Sequence, residues 1–289
     1  MRITPFQKKQ LLLAQTNEIT EYHVYQGLAR IAKYSHSKKV LKQIAQDELD
    51  HYNFWKSFTN EDAKPKRFKI GLYIWIARLL GITFGIRLME KGEESAQIAY
   101  DKLLSLSPKV KEVIHDEEHH EKALVGVIDP KSLEHISSIV LGLNDALVEL
   151  TGALAGFTLA LQDAKLIAIA GGITGIAASL SMAASQFLAK REDDKEKHPI
   201  RASLYTGSTY LITVIILVLP FFFFANPLIS LACTLSFAIL IIFFFTLYVS
   251  VAKDLSFRRR FLEMSAISLG VAMINFGIGL LIKKYVGEV

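Results

Sequence analysis

Leu41-Lys-Gln-Ile-Ala-Gln-Asp-Glu-Leu-Asp-His-Tyr-Asn-Phe-Trp-Lys-Ser-Phe58 is the stretch on which the fold turns. Leu41, Ile44, Trp55 and Phe58 recur at helical spacing and make one apolar stripe. Glu48 and His51 fall in that same stripe and interrupt it. Burying a lone carboxylate is too costly to be casual, so these two polar side chains need a partner inside the core. A Glu-x-x-His spacing sets a carboxylate and an imidazole on one face of a helix, the arrangement by which a helix bundle holds iron between its helices.

Reading outward, the spacing occurs three times where chance gives about 0.5. Glu117 and His120 interrupt the stripe Val113, Leu124, Val127, while Glu112 and His115 lie with Asp116, His119 and Lys122 on the opposite face and read as solvated surface. Two further acids break apolar stripes: Glu18 within Leu11, Ala14, Tyr25, Ala29, and Glu93 within Ile82, Ile86, Met89, Ala96, Tyr100, Leu103. Each is followed seven residues on by a tyrosine and then by a helix with an inward Glu-x-x-His, so the pattern is a duplicated helix pair. Four helices thus contribute Glu18, Glu48 with His51, Glu93, and Glu117 with His120, a ligand set for two metal ions. Glu21 and Glu90 lie near enough to be auxiliary ligands. The apolar stretch 70–88 is too short and too basic to cross a bilayer; it reads as an amphipathic approach to the third of these helices along the membrane surface.

Beyond residue 138 the solvent changes. Residues 1–138 carry 39 of the 61 charges and seven of the eight histidines, whereas residues 139–289 carry 22 charges, mostly in short clusters. One soluble domain is excluded. Between Ala202 and Ala252 there is no charged residue, a run right for two crossings broken at Ala225-Asn226-Pro227. With these, the spans are expected near 136–161, 166–189, 202–224, 228–252 and 264–282. The loop Lys190–Arg201 holds five Lys/Arg and Lys253–Arg260 holds four, which places the N-terminal half in the cytoplasm and the C-terminus outside. The N-terminus lacks the apolar core of a secretory signal, in keeping with that side. The net charge of +5 follows this loop pattern and gives no sign of a nucleic-acid partner. The single cysteine, Cys233, excludes an intrachain disulfide and a thiolate metal cluster.

The first span contains Asp145 and Glu149, four residues apart and so on one face. A charged side chain at the bilayer centre costs about 2.5–3.5 kcal/mol on insertion scales, so the pair reads as a transport path. Two close carboxylates in a poor solvent repel, and either a proton on one of them or a divalent cation between them relieves the repulsion. That competition couples two fluxes in an antiporter. Met182 of the second span offers a soft thioether that favours iron over magnesium or calcium, and Asn275 of the fifth span is a weaker candidate. Gly152 with Gly156, and Gly171 with Gly175, are spaced for close helix approach and for a homodimer.

Glu18, Glu48-x-x-His51, Glu93 and Glu117-x-x-His120 resemble the ferritin-like, rubrerythrin-type di-iron domains. Gly142-Leu-Asn-Asp145-Ala-Leu-Val-Glu-Leu-Thr-Gly-Ala-Leu-Ala-Gly156 and Ser181-Met-Ala-Ala-Ser-Gln-Phe-Leu-Ala-Lys-Arg191 resemble the vacuolar iron transporter family. The expected fold is therefore all-α: a ferritin-like four-helix bundle over residues 1–130, then a five-helix transmembrane domain over 131–289. The second resemblance implies a dimeric antiporter, with a pore between subunits, that moves Fe(II) or Mn(II) out of the cytosol against protons; the expected location is a prokaryotic cell membrane. The same resemblance carries the family's membrane Asp and Met onto Asp145 and Met182. The long acidic segment of eukaryotic members is here reduced to Glu192, Asp193, Asp194 and Glu196, so the bundle stands in as metal collector. One other reading is a membrane-anchored di-iron ferroxidase or peroxidase, for which intramembrane acids have no use; another is an iron or peroxide sensor, which is compatible with either.

Overall fold

The computed structural model describes residues 4–89, 103–104, 106–127, 130–192, 198–253 and 255–286, and every regular element among them is a helix. The chain divides into two compact units, Met1–Pro130 and Lys131–Val289. Glu90 and Glu93 lie outside the described residues.

The first unit is built from α1 (Pro5–Ile31), α2 (Ser35–Thr59), α3 (Arg67–Leu80), α4 (described over residues 82–89) and α5 (Lys109–Val127). Thr4 starts α1 with a capping box: its hydroxyl accepts from the Gln7 amide at 3.2 Å, while Gln7 Oε1 accepts from the Thr4 amide at 2.9 Å. Asn60 ends α2 in the left-handed conformation, a residue that tolerates it. Gly81, at φ 95°, turns α3 into α4 through backbone space that side chains rarely enter.

Along each of the three described ligand-bearing helices the buried stripe has the same order: apolar, polar, apolar. Leu11 and Ala14 precede Glu18, and Tyr25 and Leu28 follow it; Ile44 precedes Glu48 and Trp55 follows His51; Val113 precedes Glu117 and Leu124 follows His120. Leu11, Trp55, Val110 and Val113 belong to one apolar cluster, and Leu28, Ile44, Ile86 and Leu124 to another. The carboxylates and imidazoles therefore form a polar layer closed by an apolar plug at either end.

The second unit comprises α6 (Pro130–Leu161), α7 (Ala164–Arg191), α8 (Pro199–Val218), α9 (Pro220–Phe223), α10 (Pro227–Ala252) and α11 (Phe257–Val286). Five stretches are long and apolar enough to span a membrane: Ile136–Leu161, Ala164–Arg191, Pro199–Phe223, Pro227–Ala252 and Phe257–Tyr285. This is the architecture of an integral membrane protein. Several helices outrun the uncharged windows of the sequence because their basic residues, such as Lys190, Arg191, Arg258 and Lys283, occupy terminal turns.

Asp163 caps α7 by accepting from the Leu166 amide at 2.9 Å, and Asn226 caps α10 by accepting from Leu228 at 2.9 Å. Pro220 interrupts the third span, and α10 supplies hydroxyls around the break: Thr234 donates to the Leu217 carbonyl at 2.8 Å and Ser230 to that of Phe224 at 3.2 Å. Lipid offers no such donors, so the neighbouring helix must.

Close helix approach is set by glycine. A Cβ at Gly142 would come within 2.3 Å of the Thr206 carbonyl oxygen on α8, and one at Gly279 within 2.5 Å of the Gly156 carbonyl on α6. Gly152 faces Asn275 and Val271, Gly171 faces Leu154, and Gly175 faces Val214. The glycine faces expected to support a dimer are thus filled within the chain, and they carry no argument for a second copy.

Candidate metal centre and membrane path

Glu18 of α1, Glu48 and His51 of α2, and Glu117 and His120 of α5 are all buried, from 0% to 7% exposed. Glu18, Glu48, His51 and Glu117 can each present one ligand atom so that all lie within 4.8 Å of one another. His51 Nδ1 is 3.9 Å from Glu18 Oε2, 3.5 Å from Glu48 Oε2 and 3.4 Å from Glu117 Oε1. His120 Nδ1 is 3.3 Å from Glu48 Oε1 and 3.9 Å from Glu117 Oε2. Glu48 and Glu117 therefore each turn one oxygen toward either ring. The separations exceed those of charge-assisted hydrogen bonds, and Glu48 Oε2, His51 Nδ1 and His120 Nδ1 are buried without closing one among the described residues. Nitrogen and oxygen donors aimed at a common space suit a transition-metal ion. Glu21 stands outside this group, half-buried in a small cleft with Asn17, Thr20, Lys69 and Met89.

The outer side of each ring carries a second carboxylate, one that helical periodicity does not place in the core. His51 Nε2 is 3.4 Å from Asp116 Oδ2, and His120 Nε2 is 3.1 Å from Asp47 Oδ2. The contacts cross: each histidine reaches the aspartate that precedes the glutamate on the other helix. Asp116 is thus corrected from solvated surface to a partner of His51, although its side chain is half exposed. Asp-Glu-x-x-His occurs at both 47–51 and 116–120, and that repeat was the available signal. A carboxylate on the far nitrogen fixes the tautomer and turns the lone pair of the near one inward. Trp55 is the other missed residue; its indole N–H donates to Glu18 Oε1 at 2.9 Å and leaves Oε2 facing His51.

Burial raises the Glu18 carboxyl well above the usual range, and the neighbouring Glu48 adds to that. Burial acts in the same direction on Glu48, but His120 and His51 outweigh it and hold Glu48 low. Burial opposes charge on the rings too, yet Glu117 and Glu48 push His51 up to about 12 and His120 up to about 10. The layer demands positive charge. Protons on the rings supply it, and a divalent cation would do so in their place.

In the second unit, Asp145 and Glu149 lie on α6 within the first span. Tyr210 of α8, fully buried in the third span, donates its hydroxyl to Glu149 Oε2 at 2.6 Å. A tyrosine amid the uncharged run 202–252 was the signal for it. Asn275 of α11 packs on α6 at Gly152, the turn after Glu149, and donates to the Val271 carbonyl at 3.0 Å. Met182 is half-buried against the apolar core of this unit.

A membrane unit of five spans with an acidic pair in its first, and a helical unit with a buried carboxylate and imidazole layer, define a membrane protein that handles metal ions. Residues 136–195 match the VIT family and residues 9–72 match rubrerythrin, in the order the sequence led us to expect. The first match covers the first two spans, Asp145, Glu149 and Met182 included; the second covers α1 and α2 with Glu18, Glu48 and His51. Together they point to membrane metal transport in one unit and di-iron binding in the other. No curated protein matches the chain.

Proposed function

We propose that the protein exports Fe(II), and also Mn(II), from the cytosol by proton antiport as a homodimer, with its first unit in the cytoplasm and its C-terminus outside. The observation that carries this reading is the Asp145 and Glu149 pair within a membrane span, its Glu149 held by Tyr210, in the stretch that matches the VIT family. The pair binds metal or proton in alternation. Met182 adds a soft donor and Asn275 a carbonyl oxygen. The loops rich in Lys and Arg support the orientation.

The first unit holds two iron ions through Glu18, Glu48, His51, Glu93, Glu117 and His120 and so collects or senses the cargo. Iron held there would supply redox chemistry with oxygen or peroxide. Asp47 and Asp116 orient the rings, Trp55 orients Glu18, and the apolar plugs keep bulk water out of the layer. Replacing Glu48 and Glu117 together by Ala in the full chain should abolish the iron pair; two irons per chain still present by metal analysis would overturn the ligand assignment. For transport, the test is Fe(II) flux into proteoliposomes under an imposed pH gradient. Wild-type flux in both Asp145→Asn and Glu149→Gln would overturn the carboxylate path, and no proton-driven flux from the wild-type protein would favour a membrane-anchored di-iron oxidase.

A further inference from the structure

Helix α3 has two apolar faces, and only one of them is used within its unit. On the inner side Ile70, Tyr73 and Ala77 pack into the bundle core, and Ile74 fills the place that a side chain at Gly27 of α1 would take. On the outer side Phe68 is 84% exposed, Trp75 61% and Leu79 65%, with Leu72 also exposed. Positions 68, 72, 75 and 79 follow the i, i+4, i+7, i+11 rule, so the four make one stripe along the helix. Isolated exposed apolar residues are ordinary, but a contiguous aromatic and aliphatic stripe marks an interaction face. Exposed cations accompany it: Lys64, Lys66 and Arg67 precede or open the helix and Arg78 lies in its last turn, in a stretch, 63–89, with no Asp or Glu, while Lys69 turns inward to the cleft with Glu21.

We infer that the outer face of α3 is a membrane-binding surface that lays the first unit against anionic lipid headgroups. Phe68, Leu72, Trp75 and Leu79 enter the boundary between headgroups and acyl chains, and the Lys and Arg side chains remain in the headgroup layer. The charge is what selects lipid over a second copy of the face: the exposed Lys64, Lys66, Arg67 and Arg78, with no acid between them, repel their own copy and attract phosphate. A bilayer is also always at hand, because the same chain carries five membrane-spanning helices. The inference is independent of what the metal centre does.

The chain has two tryptophans, Trp55 sealed in the bundle and Trp75 on this face, so the difference between wild type and Trp75→Phe isolates the emission of Trp75. The full-length protein is placed in nanodiscs of phosphatidylcholine with phosphatidylglycerol, and the acyl chains are then exchanged for brominated ones. Loss of most of the Trp75 emission is expected, with a smaller loss when phosphatidylglycerol is omitted or salt is raised. Leu72→Glu with Leu79→Glu should restore the emission while iron content stays unchanged. Trp75 emission that bromine leaves intact overturns the inference. In that case quenching by aqueous acrylamide means the face is open to water, and shielding from acrylamide means protein covers it. The wild-type measurement decides even if the double variant fails to fold.

Discussion

His51 and His120 are each gripped from two sides, and the two grips do different work. Inward, Nδ1 faces Glu48 and Glu117; outward, Nε2 faces an aspartate of the opposite helix. The outer carboxylates lie at the edge of the layer, where Asp47 also accepts from Gln43 Nε2 at 3.0 Å, so Asp47→Asn and Asp116→Asn should keep the fold and weaken iron binding by about 10- to 100-fold, as outer partners of metal-bound histidines do elsewhere. Iron titration of the full-length variants checks this, and unchanged affinity in both would remove the aspartates from the site. The proton balance gives a second expectation. With His51 raised to about 12 and His120 to about 10, both rings hold protons through the neutral range and must release them to bind a cation. Apparent affinity should therefore rise from about pH 6 to about pH 8, with proton release visible as buffer-dependent heat. An affinity flat over that range would mean that the rings do not give up protons to the metal. The interrupted stripes were enough to single out Glu18, Glu48, His51, Glu117 and His120 in the sequence. Periodicity gives Asp116 to the solvent because it assigns a face to each residue by itself, whereas the partner of Asp116 sits on another helix. Trp55 was counted as apolar stripe, and only tertiary contact shows its N–H turned to Glu18.

At the scale of elements, patterning in the sequence was most telling where the solvent is most selective. Uncharged runs mark the membrane helices because lipid rejects both charge and unpaired backbone. Helix ends were less legible, since Lys190, Arg191 and Lys283 extend the helices while lying beyond the apolar windows. Glycine spacing showed that helices approach closely but not which ones: Gly142 meets α8, and Gly156 and Gly279 meet each other across α6 and α11. Gly142→Ala drives a methyl group into the Thr206 carbonyl, a main-chain atom that cannot swing aside. It should cost about 1–3 kcal/mol, read as a lowered unfolding temperature in detergent. Gly172→Ala is the control, since a Cβ there meets nothing within 4 Å, and it should stay within about 0.5 kcal/mol. Equal effects from the two would show that the helix contact at Gly142 is not tight.

For the whole molecule, the division into two units makes a prediction that neither unit makes alone. The described residues of the carboxylate and imidazole layer lie on α1, α2 and α5, and the acidic pair of α6 has its described partner on α8, so each set belongs to a single unit. Replacing Tyr210 by Phe removes the hydroxyl that fixes Glu149 but leaves both acids in place. If transport depends on a positioned carboxylate, Tyr210→Phe should slow proton-driven Fe(II) flux less than Glu149→Gln does. The iron content of the first unit should match wild type in both variants. The converse holds for Glu48→Ala with Glu117→Ala: iron in the first unit is lost, while flux at saturating external Fe(II) persists, because a collector matters when metal is scarce. Measuring flux against Fe(II) concentration separates the cases, since a lost collector raises the concentration needed for half-maximal flux and a damaged path lowers the maximum. Abolition of flux at every concentration by the double alanine variant would refute this division of labour and make the metal layer an obligatory step on the transport path.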